Sequence, residues 1–208
     1  MSIINIETLL DNYNFANTYL VSINDEVVII DPACDIKYLK KYVGNKKVLG
    51  VFLTHGHYDH FKTLEEVLKE YKVKCYLHKN AKDKVLSLDT SYAKMFGCFK
   101  IPNLNENDFV FVNDGQTIKL NDFNIKTLFT PGHTNCSVVY ILDDIMFSGD
   151  TLFNMSVGRT DLATGNTIAQ MNTLNMMKKM KNDYKIYPGH ENNTTLFFEQ
   201  KNNPYMNR

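Results

Sequence analysis

The sequence predicts an α/β (α+β) chain, a four-layer αββα sandwich in which two β-sheets pack face to face between outer helices. Three observations carry this expectation. The first half alternates strand-like and helix-like segments, and the second half is a run of short strands joined by polar turns. Helical patterns flank both halves, and two strand-rich halves with helices outside bury their apolar faces most simply against each other. No linker, repeat or low-complexity stretch interrupts the 208 residues, so a single domain over 1–208 is expected.

The elements follow in order. Residues 19–22 and 27–31 read as hairpin strands around Asn24-Asp25, and 35–42 as a short helix with Asp35 as its cap. The apolar run 48–53 reads as a buried strand. Leu64, Val67, Leu68 and Tyr71 recur at helical spacing, predicting a helix that ends near 71 and whose first turn includes Asp59 and His60. Residues 74–77 form the next strand. Strands at 108–112, 117–120, 124–129, 137–142 and 145–148 are joined by Asp114-Gly115, Asn121-Asp122 and Asp143-Asp144 turns, which predicts one antiparallel run. A helix over 167–180, with Ile168, Met171, Leu174 and Met177 on one face, a strand at 185–187 and a helix over 194–201 complete the chain. Residues 87–107 lack a regular pattern and read either as a surface loop or as a flap over a pocket.

Composition narrows the function classes. Lys+Arg and Asp+Glu both number 23, a formal net charge of +0, so the chain has no bulk electrostatic footprint for nucleic acid or an anionic membrane. No apolar run approaches the roughly 20 residues of a membrane-spanning helix. The first ten residues lack a basic start, so no signal peptide is expected. The four cysteines are scattered without a Cys-x-x-Cys pair, which predicts reduced thiols and a cytoplasmic location. A monomer or small homo-oligomer is expected.

The chemistry is concentrated in Thr54-His55-Gly56-His57-Tyr58-Asp59-His60, directly after the buried strand. Imidazole nitrogen and carboxylate oxygen are the donors that a zinc-like ion takes. His133, in Pro131-Gly132-His133, Asp150, in Ser148-Gly149-Asp150, and His190, in Pro188-Gly189-His190, each follow a short strand-like stretch with a glycine beside them. That is the pattern of a side chain displayed on a tight loop at a strand end. Five of the six histidines fall into this set, and His78 alone stands apart as an ordinary surface histidine.

These motifs, in this order, resemble the metallo-β-lactamase superfamily. Ser148 to Phe153, Val157-Gly158-Arg159-Thr160-Asp161-Leu162 and Asn203-Pro204-Tyr205 are similar to the short, glyoxalase II-like hydrolases. The resemblance implies the αββα sandwich and a two-metal site, since seven ligands exceed the roughly four of one tetrahedral zinc. His55, His57 and His133 would hold one divalent ion, Asp59, His60 and His190 the other, and Asp150 would bridge them, which makes Asp59 and Asp150 the catalytic carboxylates. Zinc is the expected metal, with iron or manganese also suited to these donors. A zinc-bound water has its pKa lowered from about 15.7 to near 7, so the implied reaction is attack of metal-bound hydroxide on an acyl thioester such as S-lactoylglutathione.

Arg159 and Phe153 would contact the small-molecule substrate, although Arg159 could equally pair with Asp161. Asp31, in Ile30-Asp31-Pro32, would orient ligands rather than bind metal. His57 stands where flavodiiron relatives carry Glu, and Asp150 where a major class of zinc β-lactamases carries Cys, so both of those activities are disfavoured. The long glyoxalase II enzymes bind glutathione with a C-terminal helical extension that this chain lacks, which leaves the thiol carrier open. Two other readings remain: a mononuclear iron oxygenase like the persulfide dioxygenases, and a metal-stabilised binding protein without turnover.

Overall fold

The computed structural model describes residues 3–10 and 15–207. It comprises two compact units, Met1–Val112 and Asn113–Arg208, each with its own six-stranded sheet.

In the first unit the strands β1 (Ile4–Leu9), β2 (Thr18–Ile23), β3 (Glu26–Ile30), β4 (Lys47–Phe52), β5 (Cys75–His78) and β6 (Phe109–Val112) lie in sequence order. β1, β2 and β3 pair antiparallel, and β3 to β6 pair parallel. The β2–β3 turn places Asn24 in the left-handed region at φ 53°, a conformation Asn tolerates. Parallel neighbours need crossovers, and α1 (Ile36–Val43), α2 (Leu64–Tyr71) and α3 (Lys79–Val85) lie in them. Asp35 caps α1 by accepting the Lys37 N–H at 2.8 Å.

Three features of this unit depart from the sequence reading. Asp59 and His60 sit on a separate 3-10 turn, Tyr58–His60. Phe61, at φ −135°, leaves the helical path and buries its ring, so α2 starts only at Leu64. β6, expected in the antiparallel run, pairs parallel to β5 with Cys75 opposite Phe109. β1 and α3 were not anticipated.

In the second unit β7 (Thr117–Leu120), β8 (Phe123–Phe129), β9 (Val138–Leu142) and β10 (Ile145–Gly149) form the expected antiparallel run, with Asn121 and Asp143 left-handed in the turns. α4 (Thr167–Lys178) leads to β11 (Lys185–Pro188), parallel to β10, and β12 (Thr194–Thr195) and α5 (Leu196–Asn202) follow. Val139, Met146, Leu152, Leu174, Met177, Ile186 and Leu196 make the core. The predicted apolar face of α4 is only half right: Leu174 and Met177 are buried, but Ile168 is 72% and Met171 55% exposed. Steps of three residues rotate the stripe by about −60° each at 3.6 residues per turn, so its two ends face opposite sides. Gln170 and Thr173 fill the buried side instead.

All four cysteines are free thiols. No helix among the described residues is long and apolar enough to cross a membrane.

Candidate metal centre

The donor set of the first unit hangs from the C-terminal end of β4. Gly56 is required between His55 and His57 because α3 presses on the loop: an added Cβ would lie 2.6 Å from Lys84 Cβ and 3.1 Å from the Ala81 carbonyl. His55, His57 and His60 are buried.

Asp31 organises this set. Its Oδ1 accepts the Thr54 N–H at 2.8 Å, and its Oδ2 accepts the Thr54 hydroxyl at 2.6 Å and His60 Nδ1 at 2.8 Å. Thr54 Oγ1, its own proton given to Asp31, lies 3.2 Å from His55 Nδ1 and accepts from it. Both rings therefore carry their proton on Nδ1 and turn a lone pair outward on Nε2. His55 Nε2 is 3.1 Å from His57 Nδ1. Two nitrogens bound to one tetrahedral zinc at about 2.1 Å are about 3.4 Å apart, so the spacing fits shared ligation. His60 Nε2 lies 3.9 Å from Asp59 Oδ2.

Asp31 itself is left-handed at φ 49°, a conformation that costs of order 1–3 kcal/mol for such a residue. Its backbone is held from both sides: its N–H donates to Phe52 O (3.0 Å), and its carbonyl accepts Thr18 Oγ1 (2.7 Å) and the Ala33 N–H (2.8 Å).

The second unit presents His133, Asp150 and His190 on the loops after β8, β10 and β11. Asp150 addresses two histidines with different oxygens: Oδ2 is 3.4 Å from His133 Nε2, and Oδ1 is 3.8 Å from His190 Nε2. His133 Nδ1 donates to the Arg159 carbonyl at 2.7 Å, which again leaves a lone pair on Nε2. The Gly189 N–H donates to Gly149 O at 2.9 Å and ties the Asp150 and His190 loops together. Gly158 lets its own loop close over the ligands, since a Cβ there would meet Asp150 O at 2.0 Å and His133 Cγ at 3.0 Å.

Two braces in this unit escaped the sequence reading. Gln170, 3% exposed on α4, accepts the His133 N–H through Oε1 (3.0 Å) and donates through Nε2 to Thr151 O (2.9 Å). Glu199, fully buried on α5, accepts the Met155 N–H (2.9 Å), Asn203 Nδ2 (2.8 Å) and Thr194 Oγ1 (2.6 Å), and Asn203 Nδ2 also donates to Ser156 O (3.1 Å). Both are polar side chains on buried helix faces, a signal that sequence pattern does not separate from a solvent-facing amide or acid.

Arg159 and Phe153 are placed as follows. The Arg159 guanidinium makes a two-pronged contact with Asp161, Nε to Oδ1 at 2.6 Å and Nη2 to Oδ2 at 2.7 Å, and holds the Asp161 carboxyl down at a pKa of about 2. Phe153 is 9% exposed, its ring edge-on to His190 with centroids 6.0 Å apart. His78 caps α3 by accepting the Asn80 N–H on Nδ1 at 3.3 Å. Burial, and then Lys79, pull its pKa below the usual imidazole value.

Every one of the seven histidines and aspartates read from the sequence offers a nitrogen or oxygen of metal-binding type. The donor chemistry fits a hard-to-borderline divalent ion: imidazoles fixed in the tautomer that exposes a lone pair, with carboxylates beside them.

A family model of the metallo-β-lactamase superfamily matches residues 12–190, and the chain belongs to that superfamily. The probable metallo-hydrolase YqgX of Bacillus subtilis is 30% identical over 197 residues, covering 92% of each chain. The hydroxyacylglutathione hydrolase GloC of Haemophilus influenzae is 31% identical over 188 residues, covering 86% of each. Among solved structures, that of the BLEG-1 B3 metallo-β-lactamase matches with a TM-score of 0.87 at 26% identity, over 98% of this chain and 100% of that one. The fold predicted from the sequence is the metallo-β-lactamase fold of these proteins.

Proposed function

We propose that this chain is a metal-dependent hydrolase that cleaves a small acyl thioester. His55, His57 and His133 would hold one divalent ion, Asp59, His60 and His190 a second, and Asp150 would bridge them. When bound, such a pair supplies a nucleophilic oxygen at neutral pH and polarises the substrate carbonyl.

The observation that carries the reading is Asp150, whose two oxygens face two histidines assigned to different ions. The chain's own residues do the preparatory work. Asp31 and Thr54 fix the protons of His60 and His55, and the Arg159 carbonyl fixes that of His133. Gln170 holds the His133 and Thr151 loops in register. Gly158 allows the loop after Asp150 to lie close against that carboxylate's backbone.

A thioester suits the site because its leaving thiol, with a pKa near 8.5 if it resembles cysteine, departs without a proton donor, whereas an amide nitrogen needs one. The likeness to GloC supports the thioester. The likeness to BLEG-1 supports a second reading, β-lactam hydrolysis.

Elemental analysis of the pure protein, with assays on S-lactoylglutathione, a panel of simple acyl thiols and a cephalosporin, tests the proposal. Two ions per chain with thioester turnover support it. One iron with oxygen consumption on a persulfide, or turnover of the lactam alone, refutes it.

A further inference from the structure

The segment after α3 is fastened to the metal motif by the residue in the motif's variable slot. The Tyr58 N–H donates to Ser91 O at 2.8 Å, and its ring lies 6.0 Å from that of Phe96, so one residue meets the segment at two places. Between these anchors Tyr92 is left-handed at φ 61°. Its ring stands edge-on to His57, with centroids 5.3 Å apart at 75°.

A bulky residue in that backbone region marks a conformation imposed by its surroundings, and such residues cluster at binding sites. Four residues on, Phe96, 37% exposed, lies 5.2 Å from Phe15 and 6.0 Å from Tyr58. Met95 and Phe99 of the same segment are 76% and 75% exposed. An exposed apolar surface this dense, with one ring against a candidate metal ligand, is suited to receiving an apolar group.

We infer that Tyr92, whose ring meets His57, and Phe96 and Phe15 of the adjoining cluster form an aromatic shelf that receives the acyl group of the substrate and selects an aromatic or branched apolar acyl over a hydroxyl-bearing one such as lactoyl. The inference rests on the hydrolase reading above and specifies its substrate. Aromatic rings meet best edge-to-face or offset, and the tilted rings here already offer both arrangements to an incoming ring. Lys62 Nζ lies over the Phe15 ring, 4.4 Å from its centroid, so the acyl group meets Phe96 and Tyr92, where a lactoyl hydroxyl would give up hydrogen bonds to water for little return.

The test compares glutathione thioesters carrying phenylacetyl, lactoyl and acetyl groups on the zinc-loaded chain. Phenylacetyl is expected to lead acetyl and lactoyl in kcat/KM by about tenfold, the scale of one or two ring contacts. Phe96→Ala and Tyr92→Gly, the latter accepting the left-handed backbone without strain, should each raise KM for phenylacetyl about threefold to tenfold. Both should lower the ratio of phenylacetyl to acetyl kcat/KM by the same factor, and Phe96→Leu should recover most of the loss, which a merely structural role would not produce. Equal preference among the three acyl groups, or a preference that survives both substitutions, overturns the shelf.

A binding measurement separates this failure from failure of the hydrolase reading. If no thioester is turned over, the hydrolase reading falls, and calorimetric titration with phenylacetate against acetate still judges the shelf. Tighter phenylacetate binding that Phe96→Ala abolishes supports it, and equal binding refutes it.

Discussion

Asp31 Oδ2 accepts a 2.8 Å hydrogen bond from His60 Nδ1, and both side chains are shielded from solvent. The same oxygen takes the Thr54 hydroxyl, which in turn faces His55. One carboxylate thus sets the proton position of two rings, one for each proposed ion.

Asp31→Asn would turn an amide donor toward a hydroxyl and an N–H that themselves donate. His60 would have to move its proton to Nε2 and lose the lone pair it offers. Metal affinity is expected to fall about 10- to 100-fold, the usual scale for residues that orient ligands. Competition against a chromophoric chelator measures this, and unchanged affinity would show that the tautomers are set elsewhere.

Asp150→Ala should abolish turnover and lower the metal content below two ions per chain while the far-ultraviolet circular dichroism stays that of the parent. Retained activity would remove the bridging role.

Gly158→Ala places a methyl 2.0 Å from the Asp150 carbonyl oxygen. The obstacle is backbone, not a mobile side chain, so the loop must shift. About 1–3 kcal/mol of stability is expected to be lost, together with weaker metal binding, since Asp150 and His133 are the groups displaced. At about 2–4 °C per kcal/mol for a chain of this length, calorimetry resolves the change. An unaltered midpoint would contradict the close approach.

His78 predicts a pH dependence. Its folded pKa lies below the unfolded value of about 6.5, so the unfolded state binds the proton more readily. Its contribution is present in full above about pH 6.5 and is lost as pH falls through the window between the two values. Protonation of Nδ1 also removes the acceptor for the Asn80 N–H. Hydrogen exchange of α3 should speed up on moving from pH 7 to about pH 5, beyond the intrinsic pH effect. His78→Asn, which keeps a capping oxygen, should suppress that change. Equal acceleration in both proteins would assign the effect to another group.

The seven candidate ligands were legible because imidazole and carboxylate at such density have few other uses, and because each follows a strand that pattern alone reveals. The antiparallel strands β7 to β10 were legible because hairpin pairing is local and their turns carry Asn, Asp and Gly. The pairing of β6 with β5 was not, because it spans more than thirty residues and leaves no local trace. Gln170 and Glu199 were not, because an amide or acid on a helix declares its role only once its buried face is known. The part played by Tyr58 was hidden for a different reason: its contacts lie in the irregular segment that follows α3, where no periodic pattern shows which residues meet.

Glu199 has a consequence for how the protein fails. Through Met155, and with Asn203 through Ser156, α5 fastens the short turn from which Phe153 meets His190. That helix is only seven residues long, and so short a helix holds together only through its packing. Warming that unwinds this single element would slacken the grip on His190 while β10 and β11 still stand, so inactivation would set in at temperatures where the bulk of the molecule is still native.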